Sequence, residues 1–283
     1  MRLFIAEKPS LGRAIAVGLG SGKEKDGAIY LGSDIVTWCF GHILEQCSPE
    51  DYDEKYKRWC IEDLPILPET WKNKVKPDAK KQYLLIKKLV HDADEIVNAG
   101  DPDREGQLLV DEVLADLQIL KGSKPIRRIL LNALDEKSVR EALGQLRSNQ
   151  EFVGLRNSAL ARSRADWLIG MNLSRIYTIR AREAGYQNAV SVGRVQTPTM
   201  GLVVRREIEI KRFRPTTFFT PRILWQHAAG SFLAKWKPRE MEGVDEEGRI
   251  VSRETAERIL AAVRNASAQI RSMEQKKGTS PQR

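Results

Sequence analysis

Three acids lie two residues apart in Asp101-Pro102-Asp103-Arg104-Glu105-Gly106, between an apolar run from Glu95 to Gly100 and a helical run from Gln107 to Leu117. The order is strand, acidic turn, helix. At a strand end still near its period of two, Asp101 and Asp103 point to one side, and Glu105 follows at the helix start. Pro102 has no N–H to give a ladder, which puts it past the pairing region. Two carboxylates about 4 Å apart repel by roughly 4 kcal/mol at an effective dielectric of 20, so a positive group belongs there. Mg²⁺ suits the place, because it takes one or two carboxylates together with waters and substrate phosphates. The positive end of the following helix dipole would also accept these acids as capping residues, and spacing leaves both readings open.

A second charged pair, Glu7-Lys8, follows the apolar run Arg2 to Ala6 directly. Open α/β sheets bind their ligands at such strand ends, although a solvated surface pair would read the same way. Positive charge is concentrated further along. From Glu151 to Pro215, twelve Lys or Arg stand against five acids, +7 in 65 residues. On the long helix expected from Asn157 to Arg182, Arg164 and Arg175 are three turns apart and share a face. That row reads either as solvated surface or as a groove for a polyanion. The net excess and the nearby loop favour a nucleic-acid groove. The loop is Ser191-Val192-Gly193-Arg194-Val195-Gln196-Thr197-Pro198. Its glycine and first-turn proline suit either a phosphate seat with Arg194 as the fork or an ordinary Gly turn and helix cap.

The supporting elements alternate. Strands are expected at Arg2–Ala6, Ile35–Phe40, Glu95–Gly100 and Ile126–Leu131, with helices at Leu11–Leu19, capped by Ser10, and at Lys80–Asp92. Alternation over residues 1 to about 150 predicts an α/β domain with a largely parallel sheet. Gly18 to Lys23 lacks Walker A spacing and reads as a surface loop. Ser48 to Lys76, with Trp59 and Trp71, reads as an ordered excursion pinned by its aromatics. His42 is expected to be structural at a strand end. Helices follow at Glu136–Arg147, at Asn157–Arg182 and from the Ser191 loop to Lys211. Beyond Phe213 come β-like segments, a helix at Ser252–Val263 and a strand near Ala268–Met273.

The 283 residues carry a net charge of +9 and 41% hydrophobic content, enough for two modest domains. Cys39, Cys47 and Cys60 are odd in number and show no C-x-x-C pair, which excludes a zinc ribbon or disulfide framework and predicts neutral thiols. No run of eighteen apolar residues and no signal-peptide pattern occurs, so no membrane role and a cytoplasmic location are expected.

Taken together, Arg2-Leu3-Phe4-Ile5-Ala6-Glu7-Lys8-Pro9-Ser10, Val36 to Cys39 with Gly41-His42, Gly100 to Gln107, Ser163-Arg164-Ala165-Asp166-Trp167 and Ser191 to Pro198 occur in family order. The chain resembles a type IA DNA topoisomerase of the bacterial topoisomerase III branch. The resemblance implies a Toprim domain over residues 1–150. It further implies part of a helical DNA-binding domain over 151–215 and the start of a β-rich arch over 216–283. It implies Mg²⁺ held by Glu7, Asp101 and Asp103 with Glu105 in support, Glu7 as general acid for the 3′ leaving oxygen, and Lys8 as counter-charge to the phosphate. Asp103 and Glu105 are thus expected in the catalytic set. Single-stranded DNA would be gripped by Arg164, Asp166, Arg175 and the loop residues Ser191, Val192, Gly193, Arg194, Val195 and Gln196, with Trp59 at a further contact.

The family breaks DNA with a tyrosine in a Gly-Tyr-Ile-Thr-Tyr-Pro-Arg type motif, through a 5′-phosphotyrosine. Here Tyr30, Tyr52, Tyr56, Tyr83, Tyr177 and Tyr186 are all the tyrosines, and none precedes Pro-Arg. The expectation is a chain that binds Mg²⁺ and single strands without cleaving them alone, the tyrosine domain lying downstream or on a separate chain. Two other classes fit the same acids: a Toprim-type nuclease or primase-like transferase working without tyrosine, and a non-catalytic DNA-binding fragment in which the acids are dispensable.

Overall fold

The computed structural model describes residues 1–20, 22–122, 124–237, 241–270, 273 and 278. Two compact units emerge, Met1–Leu202 and Val203–Arg283. The division falls inside a helix rather than near residue 150, because the long helical segment that follows the α/β part packs against it.

In the first unit, β1 (Arg2–Ala6) leads to α1 (Pro9–Leu19), then β2 (Lys23–Lys25), β3 (Ala28–Leu31), β4 (Asp34–Trp38), β5 (Leu44–Gln46) and the single turn α2 (Pro49–Tyr52). Next come β6 (Asn73–Val75), α3 (Lys80–Asp92), β7 (Glu95–Ala99), α4 (Arg104–Asp116), β8 (Ile126–Arg128), α5 (Glu136–Leu143) and β9 (Arg147–Ser148). Two long helices end the series, α6 (Val153–Glu183) and α7 (Gln196–Arg212), the second of which runs on into the other unit.

The main sheet has the order β2-β3-β4-β1-β7-β8-β9. Its four central strands are parallel, and the edges are antiparallel. Alternation sorts β1 between two cores. Leu3 and Ile5 join Ile86, Leu89, Val110 and Val113 of α3 and α4 on one face. Phe4 and Ala6 join Leu11, Ile15 and Val139 of α1 and α5 on the other. Helices on both faces explain the unbroken apolar runs of β1 and β7. Ala6 lies opposite both Trp38 and Ala99, so the three strands end level and their exits share one edge.

Several local expectations shift. Helix α1 starts at Pro9, with Lys8 rather than Ser10 in the cap position. Proline needs no N–H partner at a first helical position, so no side-chain cap is required. Of the expected loop Gly18 to Lys23, Gly20 closes α1 at φ 117° and Lys23 already belongs to β2, while Ser21 lies outside the described residues. Strands β4 and β8 and helix α5 are shorter than their apolar runs, α5 stopping at Gly144.

The excursion from Ser48 to Lys76 is clamped by α6. Trp167 meets Trp71 and Tyr52 edge-on, with ring centroids 5.4 and 6.0 Å apart, and its Nε1 donates to the Cys47 carbonyl at 2.9 Å. The Asn172 amide works in both directions on buried Ile66, accepting from its N–H at 2.6 Å and donating to its carbonyl at 3.1 Å.

The second unit carries a hairpin of β10 (Arg222–His227) and β11 (Gly230–Lys235), then α8 (Arg253–Val263), whose first turn is capped by Ser252 through the Thr255 N–H. Ile250, Ala256 and Ile259 form its small core with Phe219, Trp236 and Val244. The strand expected near Ala268–Met273 is absent over 268–270, and residues 271 and 272 lie outside the described residues.

Replacing Asn172 with Ala strands two buried backbone groups of Ile66, an effect worth about 2 kcal/mol. Urea unfolding of the variant should show that loss with the slope of the transition unchanged.

Candidate active site and nucleic-acid interface

The level strand ends bring Glu7, at the exit of β1, beside Asp101, just past β7. Glu7 Oε2 accepts the Asp101 N–H at 3.1 Å, and the Glu7 carbonyl accepts the Gly41 N–H at 3.3 Å. Lys8 Nζ reaches Asp101 Oδ2 at 2.6 Å. That bond first, and then the fields of Asp101, Glu7 and Asp103, hold the ammonium above its ordinary pKa.

The acidic turn folds tightly because a glycine stands at each end. A Cβ on Gly100 would lie 2.0 Å from the Gly106 carbonyl oxygen, and one on Gly106 would lie 2.4 Å from the Asp101 N and O. Asp103 caps α4, its Oδ1 accepting the Gly106 N–H at 2.8 Å. The capping reading therefore holds for Asp103, with its second oxygen uncommitted to that bond. Glu105 is exposed in the first turn, with Arg104 Nε 3.7 Å away.

Glu7 and Asp101 are in contact, Asp103 lies within the field felt by Lys8, and Glu105 stands apart. Among the described residues, no three His, Cys, Asp or Glu side chains are already gathered as a metal cage. The chemistry of the set nonetheless suits a hard divalent cation. Its donors are all carboxylate oxygens, they come from two adjacent strand ends, and they already face one cation, Lys8.

Behind the turn, His42 Nδ1 meets Glu112 Oε1 of α4 at 2.6 Å. That bond raises the His42 pKa despite partial burial, while burial pushes Glu112 above the usual carboxylate range. The contact gives His42 the structural place expected of it, whereas Glu112, 70 positions away, carries no sequence signal. Cys39 and Cys47 are buried free thiols, and burial raises both.

The expected DNA-contacting residues fall into two groups. Arg164 and Arg175 do share a face of α6, but it looks onto the clamped excursion. The Arg164 guanidinium stacks 5.2 Å from the Trp71 ring centroid. Arg175 is 4% exposed, stacks at 5.1 Å on Trp59 and donates to the Tyr56 carbonyl at 2.8 Å. Instead of lining an open row, Arg175 braces Trp59, which Arg182 approaches at 5.9 Å. Burial lowers its pKa from the usual range.

The loop group lies nearer solvent. Two hydroxyls one helical turn apart tie it to α6. Ser174 Oγ accepts the Val192 N–H and Thr178 Oγ1 the Val190 N–H, both at 2.9 Å. Arg194 Nε pairs with Asp166 Oδ1 at 2.6 Å, and the Gly193 N–H is given to Thr197 Oγ1 at 3.0 Å. Ser191 Oγ lies 3.5 Å from Gln196 Oε1, and Val195 is exposed on the approach to α7. The phosphate seat is thus partly spoken for within the protein. A cleft of about 350 Å³ lined by Gln46, Glu105, Arg162, Ser163, Asp166 and Trp167 joins this side of α6 to the acidic turn.

Residues 2–134 match the family model described as Toprim domain, and residues 150–283 match the one described as DNA topoisomerase. The chain is 48% identical over 283 residues to "DNA topoisomerase 3" of Vibrio cholerae, covering 97% of itself and 44% of that protein. To the Salmonella typhimurium "DNA topoisomerase 3" it is 50% identical, covering 98% and 44%. The chain belongs to the type IA DNA topoisomerases, in the topoisomerase III branch. It spans less than half the length of those curated relatives. A solved full-length topoisomerase I from Thermotoga maritima shares the fold, with a TM-score of 0.56 at 22% identity over 91% of this chain and 37% of that one. Among the described residues of this topoisomerase III-type chain, no helix is long and apolar enough to cross a membrane.

A raised histidine pKa stabilises the folded state fully below the ordinary value of 6.5, and that stabilisation is lost as pH rises through the folded value. The gap in melting temperature between the wild type and His42→Ala should therefore narrow from pH 6 to pH 9. A constant gap would separate His42 from Glu112 energetically.

Proposed function

We propose that this chain carries the cation-binding and strand-gripping part of a type IA topoisomerase and works on single-stranded DNA in the cytoplasm. The observation that supports this best is the common cleft. Glu105 of the acidic turn and Arg162, Ser163 and Asp166 of α6 line one cavity, so a backbone phosphate seated there meets one arginine and lies beside the end of the acidic turn. Asp101 and Asp103, with Glu7 beside them and Glu105 in support, would hold Mg²⁺. When bound, that ion would supply positive charge to the phosphate and offset the repulsion among the acids.

The chain's own groups do the rest. Lys8, a compact ammonium at the start of α1, neutralises negative charge on a phosphate oxygen. Glu7 serves as general acid toward the 3′ leaving oxygen. Arg194, kept in place by Asp166 and by the Ser174 and Thr178 hydroxyls, meets a second phosphate, and Trp59 offers a face for a base. Strand breakage in the family needs the tyrosine. None of the six in these 283 residues carries the motif, so we expect binding without cleavage, with the tyrosine domain supplied from outside them.

Affinity for an oligonucleotide should fall with salt on a log–log plot by about 0.7 per phosphate neutralised, giving a slope near −2 or steeper for three or more contacts. A flat plot would sink the groove. Supercoiled plasmid incubated with the chain and Mg²⁺ should stay supercoiled. Relaxation would overturn the expected dependence on an outside tyrosine, and nicking abolished by Asp103→Ala would favour a Toprim-type nuclease.

A further inference from the structure

Arg128, in β8, has no exposed surface. Its Nη1 donates to the carbonyl oxygens of Asn98 at 3.2 Å, Gly100 at 2.7 Å and Ile129 at 3.0 Å, and lies 3.4 Å from Asn98 Oδ1. Its Nη2 donates to the Asp101 carbonyl at 2.6 Å. All these acceptors but Ile129 belong to the four residues over which β7 becomes the acidic turn. None is a carboxylate.

A buried acid holds the first residue of the same stretch. Asp111, 1% exposed on α4, takes the Asn98 amide at 3.0 Å, the Asn149 amide at 2.9 Å and the Gln107 amide at 2.8 Å. Asn98 Oδ1 in turn accepts the Gly100 N–H at 3.0 Å. Burial draws the Arg128 pKa down to about 10 against the fields of Asp111, Asp103, Asp101 and Glu7, which leaves it charged at neutral pH.

Taking a guanidinium out of water is unfavourable until its bonds offset it, and an aliphatic residue would fill the same place in a sheet without that penalty. A buried fork aimed at consecutive carbonyls does something an aliphatic residue does not: it sets the course of the backbone. We propose that Arg128 is the positioning residue of the acidic turn, fixing the backbone from Asn98 to Asp101 so that Asp101 and Asp103 can share a divalent cation. This rests on the cation reading above and adds to it a residue that never touches the ion.

Charge and geometry act in opposite directions here, which makes the inference testable. If Arg128 acted through charge alone, Arg128→Lys would bind cations like the wild type and Arg128→Met would bind more tightly. Positioning requires both variants to bind more weakly, because an ammonium lacks the planar fork that spans Gly100 and Asp101. Mn²⁺ titration calorimetry on the full chain should give at least tenfold weaker binding for both, with far-UV circular dichroism unchanged. Affinity of folded Arg128→Lys within twofold of the wild type would overturn the proposal. A wild type that binds no Mn²⁺ would remove the cation reading, and this inference with it. Should the variants fail to fold, nitrogen-15 NMR of the wild-type guanidinium decides. The Arg128 resonances should shift on saturation with Mg²⁺, and fixed resonances would overturn the assignment.

Discussion

The structure depends on where three parallel strands stop. Pairing of β1 with both β4 and β7 in level register delivers Glu7 and Asp101 to one edge, where the Glu7 carboxylate takes the Asp101 amide. Gly100 and Gly106 then let the chain turn back on itself within contact distance. Once that crossing is made, negative charge is concentrated on a short arc, and much of the surrounding sequence compensates it. Lys8 does so from the solvent side and Arg128 from within, while the amide ends of α4 take Asp103.

Helix α6 has a structural burden that its arginine content conceals. It holds an otherwise irregular excursion by edge-on aromatic contacts, by the paired bonds of Asn172 and by two guanidinium stacks on tryptophan. A buried or stacked arginine is stiff, and under the proposed function that stiffness would hold Trp59 ready for a base. Nearer solvent, Arg162 lines the cleft that Glu105 also lines, and Arg194 pairs with Asp166. Pairing Arg194 with Asp166 fixes the direction of the guanidinium and offsets part of its charge.

Polar groups inside the α/β part follow the same logic. Buried Asn98, Gln107, Asp111, Asn149 and Arg128 form one connected set, and Thr37 and Gln82 a second. Networks of this sort specify a single arrangement, because any slip of β7 or α4 would leave several of them without partners at once.

Much of this was legible in the residues themselves. Period and punctuation placed β1, β7, α3 and α4, since an apolar run ending in a Gly and an acidic cap has few other outcomes. The order of five motifs named the family, because those residue types at those spacings answer to local backbone demands: a tight turn, a first-turn proline, a helix cap. What period could not reveal was direction and partner. Arg175 lies on the face that spacing assigns it, yet only the packed excursion turns that face inward. Arg128 read as one more basic residue in a short strand, and Glu112 as one more acid on a helix, because their partners stand 27 to 30 and 70 positions away. Local sequence governs local geometry through sterics and capping. Which charges end up buried, and against what, is set by contacts between distant segments that exist only once the chain has closed.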